Sequence, residues 1–167
     1  MRLALALLLG IAAPAAAEDA TFSVRHLAPD TALMLAQAAT ASCRKQGFQV
    51  AVAVVDRGGI VQVLLRDRFA GPHTIDTAIG KAWTAVSFRA STAELAEITA
   101  PNKPGGALRH LSRVVAIAGG VPVEAQGSVL GAVGVSGAPC GPNGDCGARD
   151  AECARAGIEA IADRLEF

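Results

Sequence analysis

The side chains of this 167-residue chain best suited to bind a metal or to form covalent bonds are three histidines, His26, His73 and His110, and four cysteines, Cys43, Cys140, Cys146 and Cys153. The run Cys140-x5-Cys146-x6-Cys153 matches neither a structural zinc spacing nor the C-x-x-C-H of covalent haem attachment. Disulfides are the better reading of these thiols, and four cysteines allow three pairings. Among the imidazoles, His73 stands out. It sits in AGPHT directly before a helical pattern, where Pro72 restricts the backbone and Ile75, Ile79 and Trp83 add apolar surface. The competing reading is an exposed loop histidine at a helix start. His26, in the N-terminal lead, and His110, after a Pro-Gly segment, read as solvated side chains.

Other catalytic signatures fail on single residues. Gly134-Val135-Ser136-Gly137-Ala138 misses the hydrolase G-x-S-x-G because Ala138 stands where the second glycine is needed, so Ser136 reads as structural. The glycines at 131, 134 and 137 do not make G-x-G-x-x-G, and no G-x-x-x-x-G-K-[ST] is present to cradle a phosphate. Asp56 precedes Arg57-Gly58-Gly59 and belongs to a hairpin turn.

Composition narrows the class further. With 51% hydrophobic and 18% charged residues, the chain can build one ordinary core. Net charge is zero, there is no tyrosine and only one tryptophan, so the basic field and stacking platforms of nucleic-acid binding are missing. MRLALALLLGIAAPAAA has Arg2 before an apolar run that ends on Ala15-Ala16-Ala17, the pattern of a secretory signal peptide over 1–17. The run stops at Pro14, short of the roughly 20 residues of a membrane span. We expect cleavage after Ala17, a single domain over 18–167 without a membrane span, and a periplasmic or secreted protein whose cysteines pair.

The elements that must position these side chains follow from periodicity. Gly119 to Gly137 reads as a hairpin about Gln126-Gly127, with Val121, Val123, Val129, Val133 and Val135 on one face. The other face carries Ala132, Gly134 and Ser136, small enough for a helix, another backbone or a flat ligand to approach closely. Pro29 to Gln46 reads as a helix, with Leu33, Ala36, Thr40 and Cys43 sharing a face. Phe48–Val55 and Ile60–Leu65 form a hairpin, and a second helix spans about Thr74 to Phe88. Ser91 with Glu94 fits a capping box opening a short helix, Arg113–Ala118 reads as a strand, and a final helix ends near Leu165. The order α-ββ-αα-βββ-α implies an α+β fold in which helices pack on an antiparallel sheet.

The segments VAVVDRGGIVQVLLRD, AGPHTIDTAIGKAWTAVSFR and GGVPVEAQGSVLGAVGVSGA, followed by an acidic, alanine-rich helix, together resemble the GlcG/HbpS family of small haem-binding proteins. That resemblance implies a profilin-like α/β/α sandwich on a five-stranded antiparallel sheet, assembly into homo-oligomers, and haem or another tetrapyrrole as the ligand. Under it His73 becomes the leading candidate for the iron ligand and His110 a weaker one. Lys81 and Arg89 are candidates to meet a propionate, although a solvated helix face is the plainer reading of both. Trp83 could cover a porphyrin, but its apolar neighbours at i−4 and i+3 read as core. If the first and last helices cover the same face, as the resemblance implies, Cys43 can reach Cys153 and leave Cys140 to pair with Cys146; Cys146–Cys153 is the competing bridge. The expected function is an exported tetrapyrrole-binding protein. An enzyme acting on haem or a small organic acid, and a sensor or partner-binding module, are the rivals.

Overall fold

Valine-rich runs offer apolar side chains to both faces of a strand, and such strands belong in the middle of a sheet covered on both sides. The computed structural model describes residues 20–166, so the expected signal peptide at 1–17 lies outside the described residues. β1 (Ala51–Asp56) is buried at every position from Ala51 to Val55. It lies between β2 (Val61–Arg66) and β4 (Ser128–Ser136), with β3 (Gly120–Ala125) beyond β4, giving the order β2-β1-β4-β3. Every pairing is antiparallel.

Two layers of helices cover the sheet. On one face α1 (Pro29–Lys45) and α4 (Ala148–Glu159) pack Leu35, Ala36, Ala39, Cys43, Cys153 and Ala154 against Val52, Val54, Val133 and Val135. On the other, α2 (Thr74–Phe88) sets Ala78, Ala82 and Ala85 against Ala51, Ala53, Val55 and Ala132. Strand alternation sorts these residues, because odd and even positions point to opposite faces. The small-residue face is filled by α2 itself. A Cβ on Gly134 would stand 2.6 Å from the Ala82 backbone nitrogen, so a helix occupies the surface that a flat ligand could otherwise have used.

The sheet has four strands, not five. Residues 113–118 form no strand: Arg113 takes a positive φ of 70°, and the Val115 N–H donates to Thr84 Oγ1 at 2.9 Å instead of to a ladder. That segment runs along α2, where the missing side chain of Gly80 leaves room for Val115. The odd-numbered valines do not all share a face. A bulge between Val123 and Glu124 shifts the register, so Val129 packs on the α2 side while Val123, Val133 and Val135 face α1 and α4. In α1 the side chain that enters the core is Leu35, whereas Leu33 is 38% exposed. The last helix stops at Glu159 and a separate 3₁₀ turn follows at Ala162–Arg164.

Local signals place the remaining turns. Asp56 Oδ1 accepts the Gly58 and Ile60 N–H groups and closes the β1–β2 hairpin. Ser91 and Glu94 form the reciprocal capping box at the start of α3 (Thr92–Ile98), and those hydrogen bonds hold the Glu94 carboxyl below its ordinary pKa. Cys43 is bonded to Cys153, both fully buried, which ties α1 to α4 with 5.5 Å between Cα atoms. Cys140 is bonded to Cys146 around a turn closed by Gly144 N–H to Gly141 O.

Candidate functional site

A cleft of about 300 Å³ opens between the N-terminal half of α2, the end of β4 and the start of α4. The turn before α2 makes its rim. Thr74 Oγ1 donates to Gly71 O at 2.6 Å, and the Thr77 N–H and hydroxyl both donate to His73 O, at 3.1 and 2.8 Å. This fixes the backbone of His73, the N-cap residue, while its side chain caps nothing and its imidazole stays exposed. A Cβ on Gly71 would come within 2.8 Å of His73 Cε1, so glycine leaves room for the imidazole beside the turn.

The floor of the cleft is a buried ion pair. Lys81 Nζ donates to Asp150 Oδ2 at 2.8 Å and to Val135 O at 2.9 Å, and the two side chains are 2% and 4% exposed. Asp150 Oδ1 also accepts the Ala138 N–H at 3.0 Å, so the carboxylate holds the strand end as well as the lysine. Lys81 is therefore not on a solvated helix face; α2 turns it under the end of β4. Burial pulls its ammonium below the ordinary lysine pKa, and the charge and hydrogen bond of Asp150 offset that only in part. Beside the pair, Ser136 is 5% exposed and its hydroxyl has no hydrogen-bond partner among the described residues. Ser136 falls on the α2 side of the sheet by alternation with Ala132 and Gly134, and it lines the cleft.

The other residues singled out from the sequence lie elsewhere. Trp83 is half-buried, neither core nor open platform: Gly59 packs against its ring and the Arg113 guanidinium carbon lies 4.8 Å from its centroid. Arg89 is exposed in a left-handed conformation at the end of α2 and borders a different hollow with Ser91, Glu94 and Arg155. His110 is exposed at the end of a 3₁₀ turn, and His26 is exposed in the N-terminal lead. Of the candidates, the structure brings together His73 and Lys81, with the Cys140–Cys146 bridge as one wall. Asp150 and Ser136 complete the site; Asp150 carried no sequence signal, looking like any first-turn acid, and Ser136 stood in a failed G-x-S-x-G at the end of a strand.

The chemistry available is that of one exposed imidazole above one neutralised ion pair. Among the described residues no three His, Cys, Asp or Glu side chains cluster to hold a bare metal ion. No helix among them is long and apolar enough to cross a membrane.

Comparison with known proteins agrees with this architecture. A family model described as haem-degrading protein HbpS-like matches residues 27–159. A crystal structure of a double mutant of Streptomyces reticuli HbpS superposes with a TM-score of 0.78 at 39% identity, covering 91% of this chain and 99% of that one. The crystal structure of a PduOC:haem complex superposes with a TM-score of 0.74 at 29% identity, covering 81% and 95%. A 15.0 kDa protein of Citrobacter freundii from the dhaT–dhaS intergenic region is 36% identical over 105 residues, 62% of this chain and 74% of that protein.

Proposed function

This chain belongs to the HbpS-like family of haem-degrading proteins, and from that premise we propose that it is an exported protein that binds haem, or a related tetrapyrrole, at the His73 cleft. The observation that carries the reading is the exposed imidazole of His73 on the rim of the cleft, the one histidine among its lining residues. The donor set fits haem better than a free cation, because haem would bring most of its iron's ligands with it and require few donors from the protein, whereas no three His, Cys, Asp or Glu side chains cluster among the described residues. His73 would supply one such donor, and Ile117, 45% exposed on the same cleft, would supply apolar contact. Lys81 is already neutralised by Asp150, so it positions the cleft floor and is not free to meet a propionate. Bound haem would bring a redox-active iron to this site.

The PduOC:haem complex supports the ligand class, being a haem complex of the same fold. Export rests on the signal-peptide pattern of 1–17 and on four paired cysteines. Assembly into a homo-oligomer is part of the proposal, since Phe69 and Ile98 leave apolar surface outside the cleft for a second copy. Titration of the purified mature protein with hemin tests the ligand: a saturable Soret shift is expected, and an unchanged hemin spectrum contradicts it.

A second reading, turnover of the bound ligand, is favoured by Lys81. A buried ammonium with a lowered pKa at a cleft floor is able to hand over a proton. Loss of tetrapyrrole absorbance with time in the presence of a reductant, abolished in a Lys81→Met protein that still gives the wild-type Soret band with hemin, would select this reading over simple binding.

A further inference from the structure

The two disulfides of this chain stand in opposite surroundings. Cys43–Cys153 is fully buried between α1 and α4, where neither a reductant nor a partner thiol reaches it. Cys140 and Cys146 are both exposed, are six positions apart, and line the same cleft as His73, Lys81 and Asp150. Their bridge closes only the Gly141-Pro142-Asn143-Gly144-Asp145 turn, so the fold does not depend on it as it does on the bridge that spans 110 positions. What it does hold is the segment between β4 and α4. That segment begins at Ala138, whose N–H is fixed by Asp150, and ends at Gly147, the N-cap of α4.

From this contrast we propose that Cys140–Cys146 is a thiol–disulfide exchange site on the wall of the cleft, and that its substrate class is an external dithiol. One thiolate of the dithiol attacks Cys140 Sγ, breaking the bridge and forming a mixed disulfide. Cys146 leaves as the thiolate. It directly precedes the N-cap of the twelve-residue α4, whose positive end stabilises a leaving thiolate against the adjacent Asp145 carboxylate. The second thiol of the dithiol, deprotonated, then attacks its own mixed-disulfide sulfur and releases Cys140. Two electrons and two protons pass from the dithiol to the protein, which ends with two thiols while the dithiol ends as a disulfide. In the reduced form the wall keeps the Ala138–Asp150 hydrogen bond, the packing of Ala138 on the core and the hydrogen bonds of the turn, but loses its covalent tie. None of this depends on which ligand the cleft takes.

The test uses the mature protein, equilibrated under native conditions in mixtures of reduced and oxidised dithiothreitol, alkylated and mapped by mass spectrometry. Cys140 and Cys146 should gain one label each in a single two-electron step, with Cys43 and Cys153 still joined, and amide hydrogen exchange at Ala138 should accelerate in that reduced form. A C140S/C146S variant should show the same fast exchange at Ala138 without reductant. Labelling of all four cysteines together, or of none before unfolding, overturns the exchange site. Unchanged exchange at Ala138 in both the reduced protein and the variant overturns its hold on the cleft wall.

Discussion

Lys81 Nζ lies 2.8 Å from Asp150 Oδ2 across 69 positions of sequence, and the contact joins α2 on one face of the sheet to α4 on the other. Both charges are almost wholly buried, so neither is solvated if its partner is lost.

Removing one member of this pair should therefore cost more than removing both. Lys81→Met and Asp150→Asn are each expected to destabilise the protein by about 3 to 5 kcal/mol, and the K81M/D150N double variant by clearly less than their sum. Urea unfolding of the four proteins gives the coupling directly; additive losses would show that the two charges do not depend on each other.

The same pair sets a pH dependence with a definite sign. Burial lowers the folded-state pKa of Lys81 below its ordinary 10.5. Between that lowered value and 10.5 the unfolded chain binds more protons than the native one, so the contribution of Lys81 to stability rises with pH across this window. Below the window both states hold the proton and the contribution is flat. Relative to the K81M/D150N variant, wild type should gain stability as pH rises toward 10.5; a relative loss over this range contradicts the assignment.

Packing of α2 on the sheet gives a third expectation. Gly134→Ala places a methyl group against the backbone of Ala78 and Ala82, with no flexible side chain available to yield. The helix must lift from the sheet, at a cost of about 1 to 3 kcal/mol. A fall in Tm without loss of the sheet signal in circular dichroism would record it, and an unchanged Tm would mean that α2 sits farther from β4 than described.

The two bridges should differ in stability terms as they do in exposure. Loss of Cys43–Cys153 through C43A/C153A removes a constraint on a long loop and should cost roughly 4 kcal/mol, whereas C140S/C146S should cost roughly 2. Thermal unfolding of the two variants ranks them; a larger loss from the surface bridge reverses the account.

What the sequence revealed follows from what each signal measures. The boundaries of α2 were readable because Ile75, Ala78, Ala82 and Val86 repeat at helical spacing between a Gly-Pro break and Arg89. The capping box at Ser91 and Glu94 is a purely local device, and local devices are written in sequence. Arg113–Ala118 misled because apolar content alone does not say where a backbone finds its hydrogen bonds; Thr84 on α2 supplied one that a strand partner would have supplied. The bulge at Val123 and Glu124 was likewise invisible, since alternation carries no mark of an inserted residue. At the site, the place of His73 at the start of α2 was legible from the Gly-Pro break, but Lys81 looked like a solvated helix lysine because its partner lies at Asp150, a distance in sequence that no periodicity spans. Ser136 was set aside because Ala138 breaks the G-x-S-x-G pattern, and only the fold shows it beside Lys81 in the cleft.

The central claim is that the His73 cleft is the tetrapyrrole site, and hemin affinity in His73→Ala tests it most directly. The variant changes one exposed side chain that makes no side-chain cap to its helix, so the fold should survive. Spectrophotometric titration of wild type, His73→Ala and His110→Ala with hemin should show at least a tenfold weaker Kd and an altered Soret position for His73→Ala, a loss of about 1.4 kcal/mol or more, with His110→Ala indistinguishable from wild type. Hemin binding of wild-type strength and spectrum in His73→Ala would contradict the account.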